Sequence, residues 1–198
     1  MRCFVAVDVP SAVRAALVDA QARLRRAAPR ADVRWASPEQ LHLTLAFLGE
    51  VAPDRVAGVA AALAAVAGRH APIALRVAGL GCFPGPSRPR VVWAGVVDGV
   101  APLGLLAADV RRALEPLGFV PEARPFRAHA TLARVRSARG VRRLVAAVAA
   151  AGAPELGAWT AEDVVLYRSH LHPAGARYEA LVRPRLAASG GGHGASGG

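Results

Sequence analysis

His42 and Thr44 stand two places apart in an otherwise apolar run, residues 41–48 (LHLTLAFL), and the arrangement recurs as His129 and Thr131 in residues 128–135 (AHATLARV). With six histidines in 198 residues and threonine only at Thr44, Thr131 and Thr160, chance supplies only about 0.1 His-x-Thr pairs. Two occur, 87 residues apart and each followed by leucine, which points to an internal duplication. Side chains in a strand alternate faces with period two, so each His/Thr pair shares one face while the apolar residues take the other. If an approximate two-fold relates the halves, the two faces line one cleft. A neutral imidazole can then accept a proton from an attacking hydroxyl or water, and an imidazolium can give one to a leaving oxygen. An ordinary pKa near ~6.5 permits both states, and each transfer is typically worth ~10²–10⁴ in rate. The threonine hydroxyls and a nearby arginine suit the non-bridging oxygens of a phosphate. This chemistry needs no metal or other cofactor.

Taken singly, each histidine reads as a hydrogen-bonded core residue. The duplication is what favours catalysis. Zinc would need three or four ligands, and no carboxylate or cysteine accompanies either motif. Arg134 extends the second motif to HATLAR, but in a regular strand it points away from His129. A bulge or the strand end would turn it back. It stands as a phosphate ligand or as part of a surface ion pair.

The elements that must hold these residues read as strands at 2–9, 33–36, 41–48, 73–80, 91–97, 128–136, 159–168 and 177–183, with helices at 11–28, 53–69, 101–117 and 138–151. Residues 81–90 (GCFPGPSRPR) read as a loop, 121–127 as irregular, and 187–198 as a flexible Gly/Ser-rich tail carrying His193. Strands adjacent in sequence, with helices between, suggest mixed or antiparallel sheets covered by helices on one face. No G-x-G-x-x-G follows a strand, which argues against a dinucleotide fold.

Hydrophobic residues make up 54% of the chain, enough for one substantial core or two small lobes. The net charge is +11, and every basic side chain is arginine. That excess fits either compositional drift or polyanion binding. Cys3 and Cys82 lack disulfide or metal spacing and read as buried thiols of a reducing cytoplasm. The longest uncharged apolar run, 56–68, is short of the ~20 residues a membrane span needs.

At the paired motifs the sequence resembles the 2H phosphoesterase superfamily, whose hallmark is two His-x-Ser/Thr motifs on pseudo-symmetric lobes. Within it the likeness is to the bacterial and archaeal RNA 2′,3′-cyclic phosphodiesterases, also called 2′-5′ RNA ligase-like proteins. It runs through MRCFVAVDVP, VRWASPEQLHLTLAFLGEV (33–51), FPGPSRPRVVWAGV (83–96), RPFRAHATLARVR (124–136) and LYRSHLHPAGARYEAL (166–181). The resemblance implies an α+β, bilobal, pseudo-two-fold fold over 1–186: two mostly antiparallel sheets facing a central cleft, helices outside. It implies hydrolysis of a 2′,3′-cyclic phosphate end of RNA to a 2′-phosphate by a cytoplasmic monomer without cofactor. His42 would be the proton donor, His129 the proton acceptor, and Thr44, Thr131 and Arg134 the phosphate ligands. Family members also join tRNA halves through a 2′-5′ bond. Ala46 stands where a basic residue is common, which weakens an auxiliary RNA contact. Two alternatives remain: a non-catalytic RNA-end binder on the same fold, and a phosphodiesterase for a small cyclic nucleotide.

Of the remaining residues, Arg88, Arg90, Arg124 and Arg127 are the better RNA-contact candidates. Phe47, by its parity with Leu43 and Leu45, reads as core. Trp35, Trp93 and Tyr178 also read as core. His70 reads as structural, and His170 and His172 as an exposed pair.

Overall fold

The computed structural model describes residues 1–120, 124–171 and 175–187. The tail at 188–198, with His193, lies outside the described residues, as does His172. The described residues form nine strands and four α-helices: β1 (Arg2–Asp8), α1 (Ser11–Ala27), β2 (Val33–Trp35), β3 (His42–Glu50), α2 (Val56–Ala67), β4 (Ile73–Phe83), β5 (Val91–Asp98), α3 (Val100–Leu114), β6 (His129–Val135), α4 (Val141–Ala150), β7 (Glu155–Ala161), β8 (Val165–His170) and β9 (Arg177–Val182).

The helices form where apolar residues recur every three or four positions. In α1, Val13, Leu17, Ala20 and Leu24 are buried and Pro29 follows the end; in α3, Leu103, Leu106, Val110 and Leu114 take the same role. Each fully buried leucine is worth about 1.5–3 kcal/mol relative to exposure. Helix α1 packs on α4 and β7, and α4 on β4; α2 packs on α3, and α3 on β3. The helices thus fall into two pairs, one for each half of the sheet.

All strand pairings are antiparallel, in the order β7-β4-β5-β6-β3-β1-β8-β9, with β2 beside β6. Each half contributes four strands to this path, with a motif strand innermost: β3 in one half, β6 in the other. The halves are joined into one hydrogen-bonded path rather than lying as separate sheets. The joint is a single register pair, Leu43 with Ala130. Beyond it β6 takes β2 as its neighbour, Trp35 opposite Ala133 and Arg34 opposite Arg134, so β3 and β6 must diverge.

Two expectations from sequence differ. Residues 159–168 do not form one strand: β7 pairs with β4 in one half and β8 with β1 in the other, and the chain crosses between them at 162–164. The turn-rich 81–90 segment is strand as far as Phe83, because Gly81, Cys82 and Phe83 pair with Trp93, Val92 and Val91. Local glycine content signals a turn, but the ladder to β5 overrides it.

Candidate active site

The joint between the halves sets the site. Leu43 and Ala130 face the core, both fully buried. Their neighbours His42, Thr44, His129 and Thr131 therefore occupy the other face, and all four are half-buried. With Leu43 opposite Ala130 in an antiparallel ladder, His42 falls at the level of Thr131 and Thr44 at that of His129. The two histidines are then diagonal partners, which an ideal ladder holds about 7–8 Å apart and a diverging one somewhat further.

Past the motifs each strand carries a bulge. In β3, Ala6 pairs with Thr44 but Val5 pairs with Ala46, so Leu45 is an extra residue. In β6, Trp93 pairs with Thr131 but Val92 pairs with Ala133, so Leu132 is extra. Both residues of each bulge, Leu45 with Ala46 and Leu132 with Ala133, are buried. The inserted residue shifts the parity by one and returns the next side chain to the His/Thr face. This brings Arg134 into the cleft. It also overturns the core assignment of Phe47, which is 53% exposed and lies 6.2 Å from the Phe4 ring on the same face. Strict alternation failed at Phe47 because the register of β1 inserts a residue that β3 alone does not reveal.

Past the joint, β3 and β6 no longer satisfy the carbonyls of the two bulge leucines for each other. A helix side chain caps each. Arg111 Nε on α3 donates to the Leu45 carbonyl at 3.1 Å. Gln21 on α1, the only buried polar residue among those described, donates through Nε2 to the Leu132 carbonyl at 2.8 Å and to that of Ala36 at 2.9 Å; the Ala36 amide also reaches Leu132. A buried carbonyl without such a partner is costly.

His42 stacks on Phe4 (centroids 4.8 Å apart) and meets the edge of Tyr178 at 5.5 Å. Its Nε2 lies 2.9 Å from Thr44 Oγ1. Its pKa is lowered to about 4, chiefly by burial and also by His129 and Arg134, against the raising effects of Asp8 and the Gln40 backbone. Asp8 is directly opposite His42 in the ladder and is held by Tyr167 Oη (2.6 Å) and Arg183 Nη2 (2.7 Å). Burial and the bond to Asp8 push the Tyr167 hydroxyl up to about 12, so it remains a donor.

His129 has a different shell. Its Nδ1 donates to the Arg127 carbonyl at 2.7 Å, which leaves Nε2 with the free lone pair in the neutral ring. It meets the ring of Phe83 edge-on at 4.9 Å, and its directly opposite residue is Gly95. Burial lowers its pKa, the Arg127 carbonyl opposes this, and Arg134 lowers it further. Both imidazoles are therefore neutral near pH 7 in the free protein, and one guanidinium acts on both.

Comparison with known proteins gives the family. The family model described as LigT like phosphoesterase matches residues 7–93 and 96–178, most of the chain. The chain belongs to the LigT-like phosphoesterase family. It is 37% identical over 176 residues to the RNA 2′,3′-cyclic phosphodiesterase of Aeropyrum pernix, covering 88% of this chain and 99% of that one. It is 36% identical to the protein of the same name from Thermus thermophilus, covering 92% of this chain and 89% of the other. Among solved structures, a protein of Thermus thermophilus matches with a TM-score of 0.80 at 34% identity, covering 96% of this chain and all of that one. Escherichia coli LigT crystallised with 3′-AMP matches with a TM-score of 0.73 at 28% identity, covering 93% and 97%.

Around the four motif residues, this LigT-like phosphoesterase carries groups that the sequence did not single out for the site. Phe4, Asp8 and Tyr167 all border His42; the strand alternation of residues 2–8 was the one available signal for Phe4 and Asp8. Tyr178, expected in the core, is instead half-buried beside His42. Trp93 is half-buried opposite Thr131, its indole seated over Gly81, where a Cβ would come within 2.2 Å of the ring. Trp35 is also half-buried, with the Arg25 guanidinium 5.1 Å above its ring. Of the expected RNA-contact arginines, Arg127 lies over Phe83 at 5.5 Å beside His129; among the described residues Arg88, Arg90 and Arg124 make no such contact. His170 pairs with Glu179 at 2.7 Å, and His70 with Asp109 on α3 at 2.9 Å. Cys3 and Cys82 are free thiols, Cys3 buried and Cys82 half-buried. Among the described residues no helix is long and apolar enough to cross a membrane.

Proposed function

We propose that the chain hydrolyses 2′,3′-cyclic phosphate ends of RNA to 2′-phosphates, with His129 as base and His42 as acid. Water between the rings loses a proton to Nε2 of His129 as its oxygen bonds to phosphorus. The bond from phosphorus to the 3′ oxygen breaks, and that oxygen takes the proton carried by Nε2 of His42. The 2′ ester is retained and a 3′ hydroxyl is released. Thr44, Thr131 and Arg134 hold the non-bridging oxygens, where negative charge grows in the transition state. An RNA 5′ hydroxyl in place of water yields a 2′-5′ bond by the same step, the basis of joining tRNA halves.

The observation that carries this reading is the Leu43–Ala130 pair, which sets both His-x-Thr motifs on one face of one joint. The surroundings of each ring support these roles. Asp8 opposite His42 favours its protonated form, and a bound phosphate adds negative charge that raises the pKa from about 4. His129 has no carboxylate opposite it, and its Nδ1–H bond to the Arg127 carbonyl leaves Nε2 to accept a proton. The names of the relatives give the substrate class. All the groups come from one chain, so a monomer suffices; the free thiols suit a reducing cytoplasm, and the two halves act as one bilobal unit.

The test is incubation with an oligonucleotide ending in a 2′,3′-cyclic phosphate. The expected result is a mass gain of one water and phosphate retained on the 2′ oxygen, unaffected by chelator. Tight, salt-sensitive binding with no product would instead assign the chain as an RNA-end binder.

A further inference from the structure

On β2 and β6, Arg34 is directly opposite Arg134. Directly opposite residues in a ladder share a face, so the bulge that turns Arg134 into the cleft fixes Arg34 on the cleft side too. Both are exposed, and among the described residues neither guanidinium has a carboxylate within ion-pair distance. Two like charges on opposed positions repel, whereas other arginines of this chain have carboxylate partners: Arg76 has Asp98 and Glu155, and Arg183 has Asp8 and Asp163.

The Arg34 guanidinium is held close to the rim. A Cβ on Gly175 would stand 3.1 Å from its Nη2 and 3.4 Å from Gln40 Nε2, and Gln40 donates to the Ala176 carbonyl at 2.6 Å. Arg34 and Arg134 both lower the pKa of Tyr178, against its burial, so the pair faces the ring that borders His42. Because β3 and β6 run antiparallel from their joint, Phe47 and Arg134 are carried in opposite directions. The cleft therefore has an aromatic end and a cationic end, and the cationic end is one strand wider than the catalytic motif alone requires.

We propose that Arg34 forms, beside Arg134, a second anion subsite that takes the phosphodiester on the 5′ side of the terminal nucleotide, and so sets the preference for RNA over a mononucleotide. This rests on the phosphodiesterase reading above. Adjacent strands are about 4.8 Å apart, so the two guanidinium groups can follow successive phosphates of a single strand while Arg134 serves the cyclic one. Arginine grips phosphate oxygens through paired N–H donors, a geometry that a lysine cannot copy.

The experiment compares the wild-type chain with Arg34→Gln and Arg34→Lys on two substrates, a triadenylate ending in a 2′,3′-cyclic phosphate and adenosine 2′,3′-cyclic phosphate. The wild type is expected to prefer the trinucleotide in kcat/KM. Arg34→Gln should reduce that preference about tenfold and make the salt dependence shallower by about 0.7 in log–log slope, as for the loss of one single-strand phosphate contact. Arg34→Lys should restore part of it. An unchanged preference in Arg34→Gln would overturn the subsite. So would a parallel loss on both substrates, which would assign Arg34 to the cyclic phosphate. A binding arm separates this inference from the catalytic one, using 3′-phosphorylated triadenylate against adenosine 3′-monophosphate. If the wild type turns over neither substrate, the catalytic reading fails. The subsite then stands only if Arg34→Gln selectively weakens the trinucleotide, and falls if both ligands bind alike.

Discussion

Asp8 stands opposite His42 in its ladder; Gly95 stands opposite His129. The β3 bulge returns Phe47 to the cleft, and the β6 bulge returns Arg134. The Leu45 carbonyl is capped by Arg111, the Leu132 carbonyl by Gln21. The backbone devices are thus the same in both halves: motif, extra residue, splayed carbonyl, helix-borne cap. The side chains that they position have diverged. A duplicated scaffold delivers two histidines symmetrically, but the acid–base chemistry proposed above needs them in opposite proton states. The asymmetry therefore lies in the groups around them, with a carboxylate opposite one histidine and a glycine opposite the other.

The comparison can be broken most severely at the histidines. His42→Ala and His129→Ala should each lower kcat by about 10²–10⁴. They should then part on a substrate whose bridging 3′ oxygen is replaced by sulfur, a leaving group that needs no proton. There His42→Ala should recover most of its rate and His129→Ala none. Equal recovery of both variants would reverse or dissolve the role assignment.

Next come the two residues thrown back by the bulges. Arg134→Gln should cost about 10² in kcat, because it removes a donor to charge that grows in the transition state. Phe47→Ala should act on KM, by about tenfold, with kcat nearly unchanged, as the loss of a stacking surface for a base does. Similar kcat losses in both variants would show that the two ends of the cleft are not specialised.

The histidines also act on stability, and in the same direction. His42 has an ordinary pKa of 6.5 when unfolded and about 4 when folded, so the unfolded chain binds the extra proton between those values. The stabilisation is complete above pH 6.5 and is lost as the pH falls toward 4, by up to about 3 kcal/mol. Urea unfolding across that range should show a flatter pH profile for His42→Asn than for wild type. His129→Asn, whose pKa shift has the same sign, should flatten it as well. By the same linkage, phosphate binding at about pH 6 should take up a proton, readable by calorimetry in two buffers.

The smallest effects are expected at the caps. Gln21→Met leaves the deeply buried Leu132 carbonyl with the Ala36 amide alone and should cost about 1–3 kcal/mol; Arg111→Met, at a half-buried site, should cost about 1 kcal/mol. Because the Leu132 bulge aims Arg134, Gln21→Met should also lower kcat, whereas Arg111→Met should raise KM through Phe47.

Much of the site was legible along the chain. The period-two alternation of a strand is local, so His42 with Thr44 and His129 with Thr131 could be placed on shared faces from spacing alone. Helices α1 and α3 were equally plain, since their apolar residues recur at the helical period. Phe47, Arg134 and Arg34 were not decidable in this way. A bulge exists only relative to a partner strand, and Arg34 gains its meaning only from the residue paired across from it. The sequence by itself determined which groups could exchange protons and that they come in two copies. The tertiary structure alone decided what surrounds each copy, because pairing register and the divergence of β3 from β6 depend on contacts between residues dozens of positions apart.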